Sequence, residues 1–110
     1  LETLAHPQSR RVMSAENAAI LRKMLCQVVE EGTAQDAAGL EEGAGGKTGT
    51  AQTGQFTPDG TERKNLWFAG FYPAQQPRYT IVVLQDGQVS TEHSSAAIFA
   101  RLCAMLDLLA

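Results

Sequence analysis

The sequence predicts an α/β domain of the α+β type, in which an antiparallel sheet of about three strands is flanked by helices. Apolar residues recur at steps of three and four near both ends of the 110-residue chain, which is typical of amphipathic helices. Between them lie segments rich in threonine, aromatic and β-branched residues, which favour strands. The predicted order is helix, three strands, helix, in one domain, because the chain is too short for two independent cores.

The first helix follows a polar lead-in segment, residues 1–13. Ser14 is a good N-cap residue, and the apolar pattern ends at Gly32, a residue type that commonly terminates helices. The sequence therefore predicts a helix between these two positions. Its apolar stripe consists of Leu21, Met24, Leu25, Val28 and Val29.

Three strands are predicted in the middle of the chain. Residues 47–53 alternate and are rich in threonine, and residues 65–72 and 79–85 are rich in aromatic and β-branched side chains. Residues 32–46, rich in Gly, Ala and Glu, predict a connecting loop, and Pro, Asp and Gly in residues 54–64 predict a loop between two strands.

The third strand and the last helix are apolar over most of their length. Residues 81–84 are all apolar, which predicts a strand that is covered on both faces. A loop containing Asp86 and Gly87 then precedes the pair Ser94-Ser95, which favours a helix N-terminus. The predicted apolar face of this helix consists of Ile98, Leu102, Met105, Leu106 and Leu109.

Composition excludes several classes of function. A net charge of -3 and nine scattered basic residues argue against a nucleic-acid partner. The most apolar run, residues 96–110, is too short to cross a bilayer and contains Arg101 and Asp107, so no membrane segment is expected. Cys26 and Cys103 favour buried free thiols, and no Cys or His residues stand at metal-ligand spacing, so no metal and no cofactor are expected.

Residues 46–52, Gly-Lys-Thr-Gly-Thr-Ala-Gln, bring a cation and two hydroxyl groups close together in the sequence. Lys47 can hold a carboxylate, and the hydroxyls of Thr48 and Thr50 can donate hydrogen bonds to it. Gly49 has no Cβ, so a substrate backbone can lie against the strand at this point. The pattern indicates an anion-binding and acyl-transfer arrangement.

A nucleotide site is the first alternative to this interpretation, because Gly46-Lys47-Thr48 ends like a phosphate loop. That motif requires its first glycine at position 41, where this chain has Glu41. It also requires a preceding strand and a following helix, whereas here a helix and a loop precede and a strand follows. Spacing and context therefore argue against a phosphate loop.

Three sequence elements together resemble the C-terminal part of the transpeptidase domain of penicillin-binding proteins, most like the class B kind. They are Val-Val-x-x-Gly-Thr-Ala at residues 28–34, Gly-Lys-Thr-Gly-Thr-Ala-Gln at residues 46–52 and Trp-Phe-Ala-Gly-Phe-x-Pro at residues 67–73. The order of the elements is unbroken, and the resemblance extends from about Met13 to the end of the chain. It implies an incomplete portion of the penicillin-binding and serine β-lactamase-like fold, with the Lys-Thr-Gly strand at one edge.

The resemblance also implies roles for residues of this strand. Lys47 and Thr50 are the expected catalytic residues: Lys47 supplies positive charge near the proton relay, and the Thr50 N–H is one oxyanion-hole donor. Thr48, Gly49, Thr50 and Gln52 are the expected substrate-binding residues. The implied ligands are the peptidoglycan stem peptide ending in D-Ala-D-Ala and β-lactams, bound partly by main-chain hydrogen bonds to the strand edge.

The nucleophile of this family is not found in the chain. In the family, the serine of S-x-x-K attacks the substrate and S-x-N relays protons, but no serine here has a lysine three residues later or an asparagine two residues later. The expectation is that residues 1–110 are the C-terminal segment of a transpeptidase domain, inactive without its remainder. The parent protein is expected at the extracytoplasmic face of the bacterial cytoplasmic membrane.

One further expectation follows from the resemblance. Strand 79–85 lies inside the sheet in the family, next to a strand from the N-terminal part of the domain, so its edge is expected here to support self-association. Two alternatives to a transpeptidase segment remain open. One is a segment of a class D-like β-lactamase or β-lactam sensor, and the other is a non-catalytic module that binds a peptide carboxylate.

Overall fold

A computed structural model describes residues 8–109 of the chain, so the first seven residues of the predicted lead-in segment lie outside the described part. The order helix, three strands, helix is confirmed, with one short 3₁₀ turn between the first helix and the first strand. The elements are α1 Ala15–Glu31, the 3₁₀ turn Gln35–Ala37, β1 Gly45–Phe56, β2 Glu62–Tyr72, β3 Tyr79–Gln88 and α2 Ser95–Leu109.

Helix α1 begins and ends where the sequence predicts. The Ser14 side chain accepts a hydrogen bond of 3.1 Å from the backbone N–H of Asn17, and the Gly32 N–H donates to the Val28 carbonyl at 3.1 Å. The predicted apolar stripe packs mainly at its C-terminal end, where Val29 is buried. Further toward the N-terminus the stripe is exposed, as Met24 illustrates.

The sheet has the strand order β1-β2-β3, and both pairings are antiparallel. Because side chains alternate along a strand, its two faces differ. The inner face carries Phe68 and Val83, which are buried and belong to one core with the helices. The outer face carries Trp67, Val82 and Leu84, which are exposed. Strand β2 is therefore the central strand. Among the described residues, the helices cover only the inner face of the sheet.

The core between the inner face and α2 is built around aromatic side chains. The rings of Phe68 and Phe99, both fully buried, lie 4.7 Å apart between centroids. Ser95 is the buried polar residue at the start of α2, and its hydroxyl donates to the Leu66 carbonyl at 2.9 Å. Tyr72 is also buried, and its hydroxyl donates to the Asp107 carboxylate; this bond is the main cause that raises the pKa of the phenol. Both polar side chains have partners, so burying them is not strongly unfavourable.

Both thiols are free, as expected from the sequence, and they differ in burial. Cys103 is fully buried in the core, whereas Cys26 on α1 is half-buried. Burial, with a smaller contribution from the Asp107 carboxylate, raises the pKa of the Cys103 thiol to about 11. Cys103 therefore behaves as a small apolar side chain at neutral pH.

The predicted loop at residues 54–64 is shorter than expected. Strand β1 continues to Phe56, which pairs with Glu62, and the connection is a turn closed by a 2.9 Å hydrogen bond from the Thr57 N–H to the Thr61 carbonyl. Gly60 has a φ of 88°, a conformation that favours glycine. The Pro, Asp and Gly residues do form a turn. Strands β1 and β2, however, extend well into the predicted loop on either side of it.

The predicted loop at Asp86-Gly87 is wrong, because both residues lie in β3. The register shifts between Lys64 and Leu66 of β2, which leaves an extra residue on β3 at this point. Gly87 has a φ of 60°, and its N–H donates to the Asn65 side chain at 2.8 Å. The glycine therefore marks a bulge within a strand rather than the end of one.

The predicted faces of β3 and α2 also need correction. Strand β3 is covered on its inner face alone, because no helix of the described residues covers Val82 on the outer face. On α2 the buried stripe consists of Ala96, Phe99 and Cys103, while the predicted Met105 and Leu109 are exposed. Helix α2 is apolar on more than one side, so periodicity alone does not select the side that meets the sheet.

Candidate active site

The stretch Lys47-Thr48-Gly49-Thr50 lies in the middle of β1, an edge strand of the sheet. One side of β1 pairs with β2, and within residues 8–109 no strand pairs with its other side. Lys47, Gly49 and Thr50 are exposed and Thr48 is half-buried. A free strand edge in this position offers main-chain donors and acceptors to an extended ligand.

A cation and two hydroxyls meet at the start of this stretch. The Lys47 Nζ donates to the Thr48 carbonyl at 2.9 Å and lies 3.5 Å from the Thr48 Oγ1. The Thr48 Oγ1 in turn lies 3.1 Å from the Oγ1 of Thr33, which follows the C-terminal end of α1. The ammonium group is therefore held close to a hydroxyl whose orientation is set by a second hydroxyl.

A small pocket of about 150 Å³ opens beside β1 and contains several hydroxyl groups. Its walls come from β1, from β2, from the residue Thr33 just after α1, and from the start of α2 with the segment before it. The hydroxyl-bearing residues among its lining are Thr33, Thr48, Thr50, Thr91, Ser94 and Ser95. Neutral donors beside a lysine suit a carboxylate, because charge-assisted hydrogen bonds are stronger than neutral ones.

Three glycines of β1 differ in what a side chain would meet. A Cβ added at Gly46 would lie 2.4 Å from the Phe68 ring and 2.7 Å from the Ala69 carbonyl, so packing requires a glycine there. Gly45 is similarly blocked by the Phe71 ring at 2.2 Å. At Gly49 the nearest atom would be the Trp67 Cβ at 3.6 Å, an ordinary contact. Packing does not explain Gly49, which leaves access to the strand as the reason for a glycine.

The structure brings together most of the predicted site residues. Lys47, Thr48 and Thr50 lie within one exposed stretch, and both threonines line the pocket. Gln52 lies further along β1, where it pairs with Lys64 and is exposed, and it is not among the residues that line the pocket. The first three residues therefore form a cluster that Gln52 does not join.

Thr33 and Ser94 are among the pocket residues that were not predicted as site residues. Thr33 lies in the Gly-Thr-Ala part of the first family-like element, and that position was the available signal. Ser94 was predicted only as a helix cap, and it does accept a 3.1 Å hydrogen bond from the Ala97 N–H. The Ser94 hydroxyl also donates to the Asp36 carboxylate at 2.6 Å. The Ser94 hydroxyl therefore already has two hydrogen-bond partners within the protein.

A larger cleft lies near the start of β1, with a volume of about 580 Å³. Its lining includes Glu41 and Glu42, together with Arg78, whose guanidinium lies 3.9 Å from the Glu42 carboxylate. Two carboxylates against one paired cation disfavour an anionic ligand. The smaller pocket beside Thr48 is therefore the better candidate for an anion.

The described residues contain neither a metal-binding cluster nor a membrane-spanning helix. In residues 8–109, no group of three or more His, Cys, Asp or Glu side chains is arranged to hold a metal ion. Neither α1 nor α2 combines the length and the apolar character that a helix needs to cross a membrane.

The α+β fold with this edge strand is that of a penicillin-binding transpeptidase domain. The sequence model of the family described as "Penicillin binding protein transpeptidase domain" matches residues 3–104, and the chain belongs to this family. It is 37% identical over 95 residues to the penicillin-binding protein PbpB of Mycolicibacterium smegmatis and 32% identical over 120 residues to PbpB of Mycobacterium tuberculosis. The matches cover 73% and 91% of this chain but 14% and 17% of those proteins.

Solved structures give the same result. Penicillin-binding protein 3 of Mycobacterium tuberculosis, crystallised with ampicillin, is similar with a TM-score of 0.75 and 31% identity, over 98% of this chain and 27% of that one. The D,D-transpeptidase domain of a peptidoglycan glycosyltransferase from Eggerthella lenta is similar with a TM-score of 0.70 and 28% identity, over 98% of this chain and 24% of that one. The sheet and helices described above therefore correspond to part of a larger transpeptidase fold.

Proposed function

We propose that this chain contributes the Lys-Thr-Gly strand to the active site of a peptidoglycan D,D-transpeptidase, an enzyme that cross-links the cell wall. The observation that carries the proposal is the position of residues 47–50 on a free strand edge, with the Lys47 ammonium beside the Thr48 hydroxyl. Such an edge suits the backbone of a stem peptide ending in D-Ala-D-Ala, or the acyl-amide arm of a β-lactam.

In this proposal each site residue has a distinct role. Lys47 supplies positive charge to the substrate carboxylate and to the proton relay, and the Thr48 and Thr50 hydroxyls donate hydrogen bonds to that carboxylate. The Thr50 N–H stabilises the tetrahedral oxyanion that forms when the acyl carbon is attacked. Gly49 leaves room for the substrate backbone, and Gln52 contacts the substrate further along the edge.

Thr33 supports this arrangement by fixing Thr48. Its hydroxyl lies 3.1 Å from the Thr48 Oγ1, so one of the two hydroxyls can donate while the other remains available to a ligand. A hydroxyl that is already oriented loses less entropy when it binds a carboxylate. Thr33 is accordingly a positioning residue in our proposal, because it acts through Thr48.

β-Lactam binding and cellular location are extended to this chain from its relatives. The structural relative from Mycobacterium tuberculosis was crystallised with ampicillin, which supports β-lactams as ligands of the complete site. The family acts on peptidoglycan, so we place the parent protein at the extracytoplasmic face of the cytoplasmic membrane. The remainder of the transpeptidase domain is the expected partner of the strand.

The nucleophile belongs, in this proposal, to that remainder. The 110 residues contain neither S-x-x-K nor S-x-N, the two elements that provide the attacking serine and the second serine in this family. Residues 1–110 are then a C-terminal segment of the domain, which binds the carboxylate and part of the oxyanion. Without an activated serine the segment cannot form an acyl-enzyme.

This division of the site predicts that the isolated chain does not react with penicillin. After incubation with benzylpenicillin, intact-mass spectrometry is expected to show the unmodified mass of the chain. A full-length penicillin-binding protein, such as PbpB of Mycolicibacterium smegmatis, treated in parallel provides the positive control. A covalent adduct on the isolated chain would show that a nucleophile lies among these residues and would overturn the proposal.

A further inference from the structure

The turn between α1 and β1 contacts both walls of the pocket beside Thr48. At the start of this turn, the Thr33 hydroxyl lies 3.1 Å from the Thr48 hydroxyl on β1. Three residues later, the Asp36 carboxylate accepts a 2.6 Å hydrogen bond from Ser94, which lines the pocket just before α2. We propose that Asp36 is a positioning residue of the proposed carboxylate site, on which this inference rests, and that it acts through Ser94 to fix the width of the pocket.

The pocket is also closed on its other side. Ser95, the first residue of α2, donates a 2.9 Å hydrogen bond to the Leu66 carbonyl of β2. Leu66 in turn pairs with Thr50 on β1. Together with the contacts of Thr33 and Asp36, these links form a ring that runs from β1 through the turn, the start of α2 and β2 back to β1. All residues of this ring except Asp36 line the pocket, so the width of the pocket depends on every link.

The turn that carries Thr33 and Asp36 is itself fixed by the core. Its small side chains Ala34 and Ala37 are fully buried, and the Ala37 N–H donates to the Ala34 carbonyl at 2.9 Å. Close-packed residues transmit a displacement to their neighbours instead of absorbing it. The Asp36 carboxylate therefore has a defined position relative to β1, and it holds the other wall of the pocket at a defined distance from that strand.

The bond between Ser94 and Asp36 is the charge-assisted link of the ring. Hydrogen bonds to a carboxylate are shorter and stronger than those between neutral groups, and this bond is shorter than the 3.1 Å and 2.9 Å of the neutral side-chain links. The Ser94 hydroxyl also accepts a 3.1 Å hydrogen bond from the Ala97 N–H, which joins it to α2. Without Asp36, this cap no longer connects α2 to the turn, and the segment before α2 can move away from β1.

The first test measures acylation by benzylpenicillin in PbpB of Mycolicibacterium smegmatis, with its matching segment replaced by that of this chain. Asp36→Ala is expected to raise the half-saturation concentration about fivefold and to change the maximal rate by less than about twofold, because it disturbs ligand binding and leaves the oxyanion donor in place. Asp36→Asn keeps an acceptor for the Ser94 hydroxyl and is expected to restore most of the affinity. An unchanged half-saturation concentration in Asp36→Ala would overturn the proposal.

Tyr72→Phe in the same chimera is the matched control for a loss of stability. It also removes a hydrogen bond from a hydroxyl to a carboxylate, that of Asp107 near the other end of α2, and neither residue lines the pocket. We expect this variant to lower the melting temperature and to leave the half-saturation concentration unchanged. If both variants raise the half-saturation concentration equally, Asp36 acts through stability alone and is not a positioning residue.

A double-mutant cycle tests whether Asp36 acts through Ser94. Ser94→Ala is also expected to raise the half-saturation concentration, and adding Asp36→Ala to it is expected to have no further effect, because the bond between the two residues is already lost. Fully additive effects would show that the two residues act independently and would contradict the proposal.

Lys47→Ala in the same chimera separates this inference from the proposed function. If Lys47→Ala slows acylation and Asp36→Ala leaves the half-saturation concentration unchanged, the role of Asp36 alone is wrong. If Lys47→Ala has no effect in a folded chimera, the proposed function is wrong, and the role of Asp36 in the carboxylate site fails with it. Far-UV circular dichroism establishes that each variant is folded.

Discussion

Replacing Lys47 by alanine is expected to lower the rate of acylation by penicillin about 10²- to 10³-fold, in a protein that also contains the nucleophile. A suitable host is PbpB of Mycolicibacterium smegmatis, with its matching segment replaced by that of this chain; the two are 37% identical over 95 residues. The lysine is exposed on the strand edge, and its Nζ contacts the Thr48 carbonyl rather than a buried partner. In the proposed site, removing it takes away the charge that would hold the substrate carboxylate.

Lys64→Ala in the same chimera is the matched control. Lys64 is also an exposed lysine of the sheet, and it lies on β2 opposite Gln52. We expect this variant to be acylated at the rate of the parent chimera, as measured with a fluorescent penicillin. Equal rates in both lysine variants, with unchanged melting temperatures, would remove Lys47 from the site.

Replacing Phe68 by alanine is expected to lower the free energy of unfolding of the chain by about 3–5 kcal/mol. The ring is fully buried and lies 4.7 Å from the Phe99 ring. It also fills the space beside two glycines, since a Cβ at Gly46 or Gly70 would lie 2.4 Å or 2.6 Å from it. A domain of this size is typically stable by about 5–15 kcal/mol, so the loss is a large fraction of the total.

Urea unfolding measures this loss, with Trp67→Ala as the matched control. Trp67 precedes Phe68 on β2 but lies on the outer face, where 40% of it is exposed. We expect the tryptophan variant to lose less stability than the phenylalanine variant, although the side chain removed is larger. If the tryptophan variant loses as much, the core does not lie on the inner face as described.

The elements that the sequence predicted correctly are those with a local physical cause. Helix α1 is bounded by Ser14 and Gly32, residues that satisfy or terminate the helical hydrogen bonds, and both perform these roles. Asp86-Gly87, in contrast, was predicted as a loop and lies within β3. Whether a glycine ends a strand or forms a bulge depends on the neighbouring strand, here on Asn65, and this is not a local property.

The faces of the apolar elements depended on tertiary structure in the same way. Four apolar residues in β3 indicated a strand covered on both faces. In the described residues, however, Val82 and Leu84 are exposed. On α2 the sheet meets Phe99 and Cys103 rather than the stripe that contains Met105. When a segment is apolar on every side, its sequence does not predict which side packs against other elements.

The part of the candidate site that belongs to a sequence motif could be predicted from the sequence. The edge position of Lys47, Thr48 and Thr50 follows from the family-like elements and is found in the structure. The contact between Thr33 and Thr48 was not predicted, because it joins residues 15 positions apart through the packing of α1 on β1. Gln52 was grouped with the site because it lies in the same stretch of sequence, but strand geometry places it further along the edge.

The position of the penicilloyl group in the chimera that contains this segment identifies the residue that attacks the β-lactam. We predict that peptide mapping by mass spectrometry finds a single adduct, on a serine outside the segment taken from this chain. That result would show that the Lys47–Thr50 strand works with a nucleophile provided elsewhere. An adduct on a residue within the segment, or a folded chimera that forms no adduct, would contradict the account.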